Sequence, residues 1–156
     1  MKKALILLSM VLVAGCSSSN NNTGGGSCDS GLSCSPTVGA GETEAGDIPA
    51  EAVGTYTTTY DDFGNTGGPF ATGTTATFEV TSDNKLIVSI DGQECIVLEN
   101  PVYRFGAGEG DGNFTFKDNC ENDVAFNLSL NNADNSFNEV NVEPVDSTGF
   151  FGQFFE

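Results

Sequence analysis

The chain has 156 residues, enough for one ordinary domain with some extra length. It carries 22 acidic residues against five basic ones, a formal charge of −17, and has no histidine. That balance sets the chain against nucleic acid and anionic headgroups, and without histidine no nucleophile–His–acid triad can form.

The first segment is not part of the fold. Lys2 and Lys3 give a positive start, and Ala4 to Ala14 form an uncharged run of eleven residues. A membrane-spanning helix needs ~20 apolar residues, so this run reads as the core of a signal peptide over residues 1–15. Val13-Ala14-Gly15-Cys16 resembles the lipobox of bacterial lipoproteins: an aliphatic residue, two small ones, then cysteine. The resemblance implies cleavage before Cys16, acylation of its thiol and its new N-terminus, and attachment to a membrane by that anchor. With Ser17 rather than Asp after the cysteine, it also implies sorting to the outer membrane of a Gram-negative cell. Removal of residues 1–15 leaves Lys85, Arg104 and Lys117 against the 22 acids, a formal charge of −19. The acids are dispersed rather than set at a ligand spacing, so their excess reads as solubility before it reads as cation binding.

Residues 16–51 are rich in Ser, Asn, Gly, Thr and acids, with little that could bury a core, and read as a disordered tether reaching ~30–35 Å. With Cys16 lipidated, Cys28, Cys34, Cys95 and Cys120 remain, an even number in an exported chain and hence two expected disulfides among three possible connectivities. Loop-closure reasoning favours Cys28–Cys34 with Cys95–Cys120. Zinc is the rival, but the C-x5-C spacing is unusual for a ligand pair.

From residue 52 to 156 the pattern becomes that of strands. After "GTYTTTY", Ala76, Phe78 and Val80 share one face, as do Leu86, Val88 and Ile90. Asp83-Asn84 and Asp91-Gly92 supply the turns between them. Phe114 and Phe116 form a further alternating set. Val124, Phe126, Leu128 and Leu130 alternate most clearly of all, with Ala125, Asn127 and Ser129 outward. Phe137 is out of step with Val140 and Val142, which predicts a bulge or a shifted strand start. With "GFFGQFF" at the end, the count is about eight antiparallel strands. The expectation is an all-β domain: a meander, curled sheet or small up-and-down barrel, with a β-sandwich as the alternative. Gly54-Thr55-Tyr56 resembles the first strand of lipocalin-like barrels, without the Trp usual there.

Sites are sparse. Asp61, Asp62, Glu94, Glu99, Asp111 and Asp118 are available for paired-carboxylate hydrolysis, but no catalytic motif frames them, and the chain reads as a non-enzyme. In "FGAGEGDGNF", Glu109, Asp111 and Asn113 alternate as oxygen donors that Ca²⁺ would accept, although the loop fits no EF-hand; no other cofactor is indicated. "DNCEND" begins like a ligand loop and lacks its later positions. Arg104, the sole arginine, is expected to point outward. In "FFGQFFE", Phe151 and Phe155 share one face and Phe150 and Phe154 the other, which reads as a last strand buried on both faces, with a sticky edge offered to a partner as the alternative. The expected role is a non-catalytic interaction or structural module at the outer membrane, docking on an envelope protein through an exposed strand edge or the terminal aromatic segment. The alternative is a carrier or sensor of a small apolar ligand inside the curled sheet.

Overall fold

The computed structural model describes Cys28 and residues 31–65, 67–146 and 149–156. The signal-like run, Cys16 and the Ser/Asn/Gly stretch after it lie outside the described residues. Eleven strands follow one another along the chain: β1 (Leu32–Cys34), β2 (Thr43–Glu44), β3 (Gly54–Asp61), β4 (Thr75–Val80), β5 (Leu86–Ile90), β6 (Ile96–Leu98), β7 (Val102–Tyr103), β8 (Asn113–Asp118), β9 (Val124–Leu130), β10 (Phe137–Pro144) and β11 (Gly152–Phe155). Among the described residues the helical content is one 3-10 turn, Ala50–Ala52.

All eleven strands belong to one curled sheet in the order β1-β6-β5-β4-β3-β11-β10-β9-β8-β7-β2. From β3 onward each strand pairs antiparallel with the next, except that β6 and β7 do not pair, and β11 returns to β3. This is the order of an up-and-down barrel opened at one seam, a half-barrel in place of two packed sheets. The turns are those read from the sequence: Asn84 has φ 61° and Gly92 φ 83°. The register also shifts between Phe137 and Glu139, the expected bulge, which turns Phe137 onto the inner side to stack on Tyr56 with centroids 3.9 Å apart.

The inward alternation fills the curl. Phe78, Phe116, Phe126 and Phe154 are fully buried with Leu86, Leu98, Leu128, Val140 and Val142. Phe78 meets Phe126 and Phe154 at centroid distances of 6.0 and 5.1 Å in edge-to-face contact, the geometry aromatic rings favour.

Three expectations give way. The sheet takes in residues that composition assigned to the tether: β1 pairs parallel with β6 and β2 pairs antiparallel with β7, so both edges of the seam are lined by the segment before residue 52. The cysteines stand at disulfide distance as Cys28 with Cys95 (Cα–Cα 5.9 Å) and Cys34 with Cys120 (6.0 Å), not as Cys28 with Cys34. Loop closure favours the short ring, but the β1–β6 register sets Leu32 beside Ile96 and thereby carries Cys28 to Cys95. Finally, β11 lies between β10 and β3, so the last strand offers no free edge; Phe154 is buried and Phe151 and Phe155 are exposed.

Candidate functional site

The outer face of β8, β9 and β10 carries the site. The inward residues of β8 are Phe114 and Phe116, so Asn113, Thr115 and Lys117 face outward by alternation. Thr115 and Lys117 are nevertheless buried, at 4% and 6% exposure, because residues 37–42 and the stretch after β7 lie over them.

That covering is held by charge. Glu42 accepts from Lys117 Nζ at 2.6 Å through one oxygen and faces Arg104 Nε at 3.3 Å through the other. Lys117 also donates to the Thr37 carbonyl at 2.8 Å. Arg104 reaches Glu143 on β10 at 3.1 Å and donates to the Val145 carbonyl at 2.6 Å. Two acids and two bases thus form one desolvated chain running from the segment before β2 across to β10. Burial opposes ionisation of Glu42, but the hydrogen bond from Lys117, the Gly39 N–H and the charges of Lys117 and Arg104 outweigh it and hold the carboxyl below its ordinary range. Arg104 therefore points into the structure, against expectation; its partners lie far off in sequence and only the fold brings them to it.

Beside this network lies a groove of about 340 Å³. Its floor is a row set by register: Thr115 stands opposite Asn127, and Asn127 opposite Asn141. The row continues to Gln153 on β11, whose amide donates to Asn141 Oδ1 at 3.2 Å. Asn141 donates in turn to Glu139 at 3.3 Å, and Thr115 to Asn127 Oδ1 at 2.6 Å. Among the described residues none accepts from the Asn127 amide nitrogen, whose two donors face the groove. Arg104 and Glu143 close one end, and Phe105, Ala107 and Phe151 form apolar walls.

One wall residue, Phe105, is conspicuous in its backbone. Among the described residues six non-glycine residues have positive φ: four are Asn or Asp, which tolerate it, and the other two are Phe63 (51°) and Phe105 (56°). Each is also exposed, Phe63 at 54% and Phe105 at 70%. A bulky residue in this region costs about 1 kcal/mol, and an exposed ring adds nothing to the core to offset it. Phe105 lies under the Arg104 guanidinium, 4.7 Å from its ring centroid, and Phe63 stacks on Phe151 at 6.3 Å. Phe105 and Phe151 thus line the groove together with the polar row, and Phe63 stacks on Phe151 from outside the lining.

The other sequence candidates are not brought together. Asp61 and Asp62 accept from the Phe63 and Gly64 N–H groups at 2.8 and 2.9 Å, and Glu94 is exposed. Glu99 pairs with Ser35 and with Lys85 at 3.3 Å. Asp118, fully buried, accepts from the Cys120, Glu121 and Asn122 N–H groups and organises the "DNCEND" turn. In the proposed calcium loop, Asp111 accepts from the Gly108 N–H at 2.8 Å, while Asn113 donates to the Asp111 carbonyl and also lines the groove. Among the described residues no three His, Cys, Asp or Glu side chains are placed to hold a metal, Glu109 included. Sequence reading placed Asn127 outward but missed the row, because alternation gives the face of each strand and not the register between strands. No protein-family model, curated protein or solved structure matches the chain.

Proposed function

We propose that this protein is a lipid-anchored lipoprotein of the bacterial outer membrane that acts by binding rather than by catalysis, with the groove over β8 to β10 as its binding surface. The observation that carries the reading is the polar row Thr115–Asn127–Asn141 sharing one groove with the exposed rings of Phe105 and Phe151. Convergent polar groups between apolar walls are what a binding cleft requires. The lipobox resemblance at Val13–Cys16 supports the anchor and the address. A binding role is further supported by the six carboxylates considered for hydrolysis, which are held in turns (Asp61, Asp62, Asp111, Asp118), in an ion pair (Glu99) or in solvent (Glu94). The aromatic filling of the curl weighs against carriage of a ligand inside the sheet. Intact mass of the protein, extracted in mild detergent from its own host's envelope, tests the address. A chain beginning at Cys16 and heavier by acyl groups is expected; a soluble chain with an unmodified Cys16 overturns it.

A further inference from the structure

We infer that the groove takes a neutral saccharide, one to two hexose rings, laid across β8, β9 and β10. The inference rests on the reading of this groove as the binding surface and adds the chemistry of the ligand.

Three properties of the groove select that class. First, its floor is made of neutral groups that both donate and accept: a hydroxyl at Thr115 and amides at Asn127, Asn141 and, beyond them, Gln153. A ligand matching such a row must itself alternate donors and acceptors at short intervals, as vicinal hydroxyls do. Strands ~4.8 Å apart set the rungs at roughly the width of one pyranose ring, and four strands give a row of ~14 Å. Second, the walls are aromatic faces, and the C–H face of a pyranose packs on such a ring while its edge hydroxyls reach the amides. Phe105 is held exposed at positive φ, and Phe151, the other ring of the groove, is exposed as well. Third, the charged groups at the groove's end are paired with one another: Arg104 with Glu143 and Glu42, Glu42 with Lys117. An anionic ligand would find these cations already neutralised and would meet a chain of charge −19 once the signal peptide is removed. A neutral, amphipathic, many-hydroxyl ligand fits all three.

The test uses the full mature lipoprotein in vesicles or in a detergent without a sugar headgroup. It is titrated by saturation-transfer NMR with maltose, cellobiose, xylobiose and mannobiose, and with a neutral extended peptide as the rival. At least one saccharide is expected to bind, with signal transferred mainly to its ring C–H protons. N127A should weaken that binding about tenfold, the loss expected when a ligand's hydrogen-bond partners are removed. Because Asn127 is half-buried, F105N is the companion variant: the ring is exposed and Asn tolerates the positive φ, so the fold is kept. F105N should weaken binding by a similar factor with an unchanged melting temperature. Saccharide binding that is indifferent to both variants overturns the inference. Peptide binding that both variants weaken overturns the ligand class while leaving the groove as the binding surface. If no probe binds in a manner sensitive to either variant, the groove reading fails with it.

Discussion

A Cβ built on Gly152 would overlap both the hydroxyl and the ring of Tyr60, so β11 can pass Tyr60 only because position 152 has no side chain. G152A is expected to cost about 2 to 3 kcal/mol through forced repacking, read as a shifted midpoint in urea. The Tyr60 hydroxyl is buried with no hydrogen-bond partner among the described residues. Y60F should therefore be neutral or stabilising by about 1 kcal/mol, since it removes a desolvated group and no bond. Glu42 is the other residue on which much depends, since it neutralises Lys117 and Arg104 together. A carboxyl whose pKa is lowered on folding contributes stability that is complete above its ordinary value of 4.5 and is lost as pH falls through the lower folded value. E42Q should thus cost about 3 kcal/mol at neutral pH by leaving Lys117 buried without its carboxylate and removing one of the two carboxylates that face Arg104. The gap to the parent should close in acid, where the parent's Glu42 is itself protonated. Denaturation at neutral pH and in the acid range checks both limbs; a gap that stays constant with pH would assign the loss to packing rather than charge.

At the level of the element, what was legible in the sequence is what repeats locally. The period-two runs of β4, β5, β8 and β9, the turns at Asn84 and Gly92, and the slip in parity before Val140 all follow from side chains within a few positions of one another. β1 and β2 were not legible, since strands of three and two residues show no period. They are extended because β6 and β7 leave open ladder groups at the seam, and this segment lies between them. The same gap hid the Cys34–Cys120 pairing and the inward course of Arg104, both of which depend on residues that only the curled sheet brings near. If the segment completes the sheet, deletion of residues 1–27 should leave the denaturation midpoint unchanged. Deletion of residues 1–46 removes β1, β2 and Glu42, and should abolish cooperative unfolding and promote association through the bared edges. A cooperative, monomeric product of the longer deletion would return the segment to the status of tether.

In the whole molecule, one short segment does three things. It lines both edges of an opened up-and-down barrel, brings Cys34 to Cys120 beyond the far end of β8, and lays Glu42 between the cations that close one end of the groove. The half-barrel and the proposed binding surface are therefore linked through residues 31–51, since Glu42 pairs with Arg104, which lines the groove. The inside of the curl is filled by aromatic side chains, and the proposed binding surface lies on its outside, beside a charge network that is neutral within a strongly acidic protein. The most direct test is a peptide map of the oxidised mature protein, digested without reduction. Peptides joining Cys28 to Cys95 and Cys34 to Cys120 are the expected result. A link between Cys28 and Cys34 would contradict the seating of β1 on β6 and, with it, the placement of the segment that brings Glu42 to Arg104 at the groove's end.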